Sequence, residues 1–314
     1  MLTLFLGAGF SKWAAGLPVA GQLFDFQVCP FGVREQTKLQ LAIKLKENWD
    51  KMHPNELAEK FISDALSFSA RERQAVLWYI VRRLSDPFIW TEFHSQRWRR
   101  HVLMIDEYRK YEIEGVKQAQ KFLNRFLGPS LSGITTTNYD LLIEYALGTI
   151  GFNYGLRGQR LTGRGAYPVS QWQNPVTLKG SVPLAKIHGS ISWDENSYYT
   201  DGRRGLTGNA LIVAPTPEKR YPKMLADQWN LSAKILRKSR QLVVFGFSFN
   251  SYDKDVLDLL KNAGSGIESL ILIDIAPKLD EAKSLWREAT ISSAPPPPNG
   301  DAQIKQWMQN AVEL

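Results

Sequence analysis

The chain has 314 residues, of which 44% are apolar and 22% are charged, proportions typical of a globular protein with a large buried core. No apolar run is long enough for a membrane-spanning helix, and the first residues lack a secretory signal pattern, so we expect a cytoplasmic protein with no membrane partner. Cys29 is the only cysteine, which excludes an internal disulfide and a zinc site built from several cysteines. A buried apolar role for Cys29 is favoured over a catalytic thiol.

The net charge of +8 leaves the nature of the partners open. Basic residues gather in three runs, which cover residues 97–101, 157–164 and 234–240. Such a surface could meet nucleic acid, an acidic partner or the phosphates of a cofactor. The plainest interpretation is a solvated basic face, and direct nucleic-acid binding rests on the charge alone.

The first predicted strand runs directly into a glycine-rich turn. Leu2–Leu6 is an apolar run, and Gly7-Ala8-Gly9-Phe10-Ser11 follows it. A Gly-x-Gly turn lets the backbone approach a ligand, and the start of a following helix favours phosphate. Lys12 stands where a full dinucleotide fingerprint has its third glycine, so a plain strand-to-helix turn remains the alternative. Gly16 and Pro18 end any short helix here and predict a loop over the ligand.

A block of predicted helices comes next. Apolar residues three and four apart favour helices over residues 39–45, 56–62, 75–84 and 118–127. We interpret residues 31–127 as a helical insertion or layer, with Trp78, Trp90 and Trp98 in its core. Residues 1–30 and 128–292 then form a Rossmann-like core, and residues 293–314 a proline-rich spacer with a C-terminal helix.

Strands alternate with helices in the second half of the chain. The predicted strands are Ile134–Thr137, Leu184–Ile187, Leu211–Val213, Leu242–Phe245 and Leu270–Ile273. The predicted helices are Leu141–Leu147, Met224–Lys238 and Asp253–Leu260, and residues 148–180 form an irregular segment with short edge strands. This alternation predicts an α/β fold, a Rossmann-like doubly wound parallel sheet with the helical insertion as an added layer.

Polar or small residues follow four of these strands. They are Asn138 and Asp140, then His188, then Gly246 and Ser248, then Asp274. Ligands of such sheets lie beyond the carboxyl ends of the strands, so these residues and Gly7 should face one crevice. Each also has a structural interpretation. His188 could be a core histidine, Ser248 a turn residue, and Asn138, Asp140 and Asp253 residues that begin helices.

The ordered set of motifs resembles the sirtuin (Sir2-like) family. That family shows Gly-Ala-Gly-x-Ser, then Asn-x-Asp, His-Gly, Gly-x-Ser and a strand ending in Asn or Asp, and all five occur here in that order between Gly7 and Asp274. The resemblance implies NAD as the bound substrate, with Asn138 and His188 as catalytic residues. The implied NAD-binding residues are Gly7, Ala8, Gly9, Ser11, Asp140, Gly246, Ser248 and Asp274.

The resemblance also assigns each group a part. The first turn would hold the pyrophosphate, and Asn138 the nicotinamide ribose and a water. Asp140 would bind the nicotinamide carboxamide, and His188 would act as general base on the ribose hydroxyls. Gly246 and Ser248 would contact phosphate or the adenosine ribose, and Asp274 that same ribose.

Two departures from the deacylating sirtuins shape the functional hypothesis. Residues 191–208 contain no cysteine, so no zinc ribbon is expected, and Val19-Ala20-Gly21 replaces the family's Asp-Phe-Arg after Gly-x-Pro.

The pattern is similar to prokaryotic Sir2-like proteins of antiviral defence that destroy NAD. The leading hypothesis is a gated NAD glycohydrolase. A deacylase or ADP-ribosyltransferase, and a non-catalytic NAD or ADP-ribose sensor, are the alternatives. Gating implies a homo-oligomer or a partner such as a helicase-type ATPase or an Argonaute-like module.

Overall fold

The computed structural model describes residues 1–25, 36–90, 114–147, 151–155, 182–194, 210–213, 222 and 225–298, with residues 85–90 and 114 as backbone only. Several expectations lie outside this part of the chain. They concern Cys29, the side chain of Trp90, Trp98, the basic runs at 97–101 and 157–164, most of the irregular segment 148–180, and the C-terminal helix.

A parallel sheet forms the centre of the described structure. Its strands are β1 (Leu2–Leu6), β2 (Leu131–Thr136), β3 (Phe152–Asn153), β4 (Val182–Lys186), β7 (Gln241–Phe245), β8 (Ser269–Ile273) and β9 (Thr290–Ala294). The spatial order is β3-β4-β2-β1-β7-β8-β9, and every neighbouring pair is parallel. β5 (Gly189–Ser190) and β6 (Leu211–Ile212) form a separate antiparallel pair.

The helices follow the apolar spacing of the sequence. They are α1 (Ala8–Ala15), α2 (Gln36–Met52), α3 (Ala58–Ala65), α4 (Ala70–Trp90), α5 (Glu114–Asn124), α6 (Leu142–Leu147), α7 (Ala226–Arg237), α8 (Lys254–Ala263) and α9 (Leu279–Leu285). None of the helices in the described ranges is long and apolar enough to cross a membrane. Trp78 is buried, as predicted for the helical layer.

Alternation along the strands divides the core into two apolar clusters. Leu4 and Leu6 of β1 belong to the cluster that includes residues of α1, α3, α4, α5 and α6. Phe5 lies in the second cluster, with residues of α7, α8 and α9. Successive side chains of a strand point to opposite faces, so a strand covered on both faces is apolar throughout. The predicted doubly wound α/β fold with a helical layer is confirmed.

The structure corrects three details of the sequence reading. Leu211–Ile212 forms β6, which pairs with Gly189–Ser190 and not with the main sheet. β9 and α9 were not predicted, because the edge strand is half exposed and reads as polar, and the helix is short. Gly133 lies inside β2 with φ +153. A Cβ there would come within 2.9 Å of Ile235 on α7, so glycine allows the helix to approach the sheet.

The proline-rich segment after β9 runs back to the first helix. Trp13 of α1 donates a hydrogen bond from its indole Nε1 to the backbone oxygen of Pro297, at 2.8 Å. The Trp13 ring also packs against Phe10, Phe122 and Phe245. This contact links the chain beyond the last strand to the helix that begins at the glycine turn.

A buried ion pair connects β4 to α6. Lys186 Nζ lies 2.9 Å from Glu144 Oε1, and neither side chain is exposed to solvent. Tyr154 also donates its hydroxyl to Glu144 Oε1, and Lys186 donates to the backbone oxygen of Asp140. Burial, together with the negative charge of Glu144, raises the pKa of Tyr154 well above its ordinary value, so the phenol stays a donor.

Lys186→Met is expected to destabilise the protein by about 3–5 kcal/mol, because it leaves the Glu144 carboxylate buried without its counter-charge. Adding Glu144→Gln should recover part of that loss, since a neutral amide still accepts from Tyr154. Urea unfolding of both variants and the wild type measures this difference. A double variant that is less stable than Lys186→Met would contradict the explanation.

Candidate functional site

The predicted site residues follow five adjacent strands. In the order β4-β2-β1-β7-β8, the residues that follow the strand ends are His188, Asn138, Gly7, Gly246 and Asp274. Strands β2, β4 and β3 lie on one side of β1, and β7, β8 and β9 lie on its other side. The junction of β1 and β7 is therefore the topological switch point, where open α/β sheets bind their ligands.

Two glycine turns meet at this switch point with their backbones in contact. Gly9 donates its N–H to the oxygen of Gly246, at 3.0 Å, and Gly7 donates to Phe245. A Cβ on Gly7 would lie 2.4 Å from the Gly246 oxygen, and one on Gly9 would lie 2.6 Å from the Gly246 Cα. Gly246 itself has φ +66. Close packing alone thus requires all three glycines, and their proposed contacts with pyrophosphate remain predictions.

Asn138 connects the second strand to the first turn. Its Nδ2 donates to the oxygen of Gly7 and to the hydroxyl of Ser11, both at 2.9 Å, and its N–H donates to Thr136 Oγ1. Thr136 in turn donates to the oxygen of Leu6. Asn138 is only 6% exposed, so its amide is fixed. The alternative that Asn138 caps the following helix is not what the structure has.

Asp140 performs the capping that the sequence left open. Its Oδ1 accepts the N–H of Leu142, the first residue of α6, at 2.9 Å. Its backbone oxygen accepts from Lys186. Asp140 is buried and, like Asn138, lies in the loop that follows β2. A contact with the nicotinamide carboxamide would come in addition to this capping role.

His188 stands beside Asn138 because of the strand register. Thr136 pairs with Lys186, and the two site residues follow these partners by two positions each. Val213 donates its N–H to the His188 oxygen at 2.9 Å, which joins the turn to β6. The next residue, Gly189, has φ +90, and a Cβ there would lie 2.0 Å from the Leu211 oxygen. The β5–β6 pair therefore holds the His188 backbone.

Two titratable side chains lie near the imidazole in the described ranges. Asp253 Oδ1 lies 3.7 Å from His188 Nε2, and the Tyr139 ring centre is 6.5 Å from that of His188. Burial raises the pKa of Tyr139, and the charges of Asp253 and Glu59 raise it further. Its hydroxyl donates to the oxygen of Val213 at 2.7 Å.

Glu59 brings the helical layer to this cluster. It lies in the first turn of α3, and partial burial and the nearby charge of Asp253 raise its pKa above the ordinary value, although a backbone hydrogen bond opposes this. No pattern in the sequence pointed to Glu59, because the helix that carries it lies far from the motifs in the chain. The sequence also did not indicate the hydrogen bonds of Thr136 with Asn138 and Leu6, because Thr136 looks only like the end of a β-branched strand.

The last two predicted groups follow β7 and β8, on the other side of the switch point. Ser248 is exposed between the buried rings of Phe247 and Phe249, and Phe249 has φ 50, unusual for a residue with a side chain. Asp274 Oδ1 accepts the N–H of Ala276 at 3.0 Å, which leaves the carboxylate at the end of β8. No cluster of three or more metal-ligating side chains occurs within the described ranges.

The fold is that of a Rossmann-like α/β protein, and the candidate site residues follow strands on both sides of the switch point. The model of the SIR2-like domain family matches residues 132–292, just over half of the chain. The chain therefore belongs to the SIR2-like family, whose members bind NAD. The match begins inside β2, so the first glycine turn precedes it. No curated protein matches the chain.

The glycine contact gives a matched pair of substitutions. Gly16, at the end of α1, has φ +67 and open space where a Cβ would lie. Gly246 has φ +66, and a Cβ there would lie 2.4 Å from the Gly9 Cα. Gly16→Ala should cost roughly 1–2 kcal/mol, the cost of the left-handed conformation. Gly246→Ala should cost about 1–3 kcal/mol more, because the two turns must separate. Denaturant unfolding compares the two, and equal losses would refute close packing as the reason.

Proposed function

We propose that this chain is an NAD glycohydrolase, which converts NAD and water into nicotinamide and ADP-ribose. The observation that carries the proposal is the register of β2 and β4, in which Thr136 pairs with Lys186, so that Asn138 and His188 each follow a neighbouring strand by two positions. An oriented amide and an imidazole are the two groups that water attack on a riboside needs, for positioning and for proton transfer. Membership in an NAD-binding family supports the choice of substrate.

The proposed contacts with NAD follow the order of the strands in the sheet. The N-terminus of α1 and the Gly246 turn lie at the switch point, where the pyrophosphate of a dinucleotide fits. Asp274 then suits the hydroxyls of the adenosine ribose, and Asn138 and His188 the nicotinamide ribose. The donors of Asn138 are held by Gly7 and Ser11, which leaves its carbonyl oxygen to accept from a hydroxyl or a water.

The bonds balance without a further reactant. The electron pair of the glycosidic bond goes to the pyridinium nitrogen, which becomes neutral as nicotinamide leaves. The water oxygen bonds to the ribose carbon, and His188 takes the proton of that water and passes it to solvent. Buried carboxylates near the ribose stabilise the positive charge that develops there. The proposed steps are written without a metal ion.

We further propose that the activity is gated, since free NAD hydrolysis would exhaust the cell's NAD. A homo-oligomer, a helicase-type ATPase or an Argonaute-like partner could supply the gate, as in an effector of anti-phage defence. The surface of the helical layer and the segment after β9 are the contact regions we favour.

His188→Ala and Asn138→Ala are each expected to lower kcat/KM for NAD by roughly 10²–10⁴-fold, because each removes a group that acts on the reacting ribose or water. Chromatographic separation of nicotinamide and ADP-ribose measures the rate and identifies the products. Asn262→Ala, on the exposed surface of α8, is the control for loss of an amide, and His53→Gln, in the helical layer, for loss of an imidazole.

The products also distinguish the alternatives. Formation of O-acyl-ADP-ribose with an acylated lysine peptide would identify a deacylase. Tight NAD binding with no turnover, under all tested assembly states, would identify a sensor. Either result would overturn the proposed hydrolase.

A further inference from the structure

Asp253 has an unexpected position for a residue that precedes a helix. It ends the short 3-10 turn Ser251–Asp253 and stands directly before α8. An acidic residue there ordinarily caps the helix. In the described part of the chain, the Asp253 side chain makes no capping bond to α8. The turn is stabilised by Asn250, whose side chain accepts the N–H of Tyr252 at 3.1 Å.

The carboxylate is directed toward His188. Asp253 Oδ1 lies 3.7 Å from His188 Nε2, and the residues are 8% and 2% exposed. This separation is longer than a hydrogen bond but within the range of an ion pair. Hydrogen bonds between catalytic groups are often long before substrate binds and shorten in the complex. A buried carboxylate is costly in an apolar environment, so a neighbour that can become positive stabilises it.

The loop that carries Asp253 is anchored by aromatic rings. Phe247 packs against Phe5 of β1, with 5.0 Å between ring centres, and Phe249 packs against Phe247 at 5.1 Å. Phe247, Phe249 and Ile187, the residue before His188, belong to the same apolar cluster. The anchored loop and the His188 turn are therefore parts of one packed unit, and the spacing of Asp253 and His188 is set by the core.

We propose that Asp253 is the positioning residue of His188, a role that rests on the proposed hydrolase and deepens it. Its negative charge stabilises the imidazolium that forms when His188 takes a proton from water. Within the described ranges Tyr139, from the β2–α6 loop, also faces the imidazole, and Glu59, from α3, lies near enough to Asp253 for their charges to interact. Tyr139 is held as a neutral donor to Val213, and Glu59 acts through its proximity to Asp253.

The test is Asp253→Asn, which keeps the shape of the side chain and removes its charge. Asp258→Asn, on the exposed side of α8, is the matched control. We expect Asp253→Asn to lower kcat by roughly 10- to 100-fold with a smaller change in KM, since only part of the general-base contribution is lost. The acidic limb of the pH–rate profile should move to lower pH by about one unit or more, because a nearby carboxylate favours imidazolium.

A second measurement needs no substrate. The titration of the His188 imidazole, followed by NMR and assigned by comparison with His188→Gln, should shift to lower pH in Asp253→Asn and stay in place in Asp258→Asn. Asp253→Glu keeps the charge and should retain a titration closer to that of the wild type. An unchanged His188 titration in Asp253→Asn would overturn the positioning role.

These two readouts separate the inference from the proposed function. A wild-type protein that cleaves no NAD in any tested assembly state would overturn the hydrolase, whereas the NMR titration would still decide whether Asp253 and His188 are electrostatically coupled. Thermal melting of each variant verifies the fold. If Asp253→Asn fails to fold, Asp253→Glu carries the comparison, and a His188 titration in that variant equal to that of the wild type supports the pairing. A shift to lower pH despite the retained charge overturns it.

Discussion

The contact between the two glycine turns is the constraint on which the site depends. Gly7 and Gly9 follow β1, Gly246 follows β7, and their backbones approach so closely that no side chain fits between them. This contact fixes where α1 begins, and therefore where Ser11 lies one turn later. Ser11 and the oxygen of Gly7 then hold the amide of Asn138. A backbone contact at the centre of the sheet thus orients a candidate catalytic side chain on the neighbouring strand.

A second constraint is the buried ion pair between β4 and α6. Lys186, the last residue of β4, is buried with its charge against Glu144 and with its ammonium donating to the backbone of Asp140. Burial of such a pair adds little net stability, but removing one partner is costly. The pair therefore ties the strand end that carries His188 to the loop that carries Asp140. The relative position of the two strand ends is set by charge as well as by the hydrogen bonds of the sheet.

The sequence predicted the parts of the structure that follow from local patterns. Apolar runs such as Leu242–Phe245 and helical spacing such as that of residues 75–84 depend on burial, which is visible in the residue types. The edge strand Thr290–Ala294 was not predicted, because a half-exposed strand has no run of apolar residues. Among the site residues, Asn138 and His188 were accessible through their motifs, and their catalytic roles stay predictions. The capping by Asp140 and the packing reason for Gly246 were not accessible, because both depend on a partner distant in sequence.

Asp253 shows why such partners matter for function. In the order of the sheet, β2 and β1 lie between β4 and β7, so the loop after β7 reaches past two strand ends to bring Asp253 to His188. That path crosses the switch point, where the dinucleotide is proposed to lie. The proposed ligand site and the proposed partner of His188 therefore share one loop, Gly246–Asp253. The buried rings of Phe247 and Phe249 anchor that loop to the core.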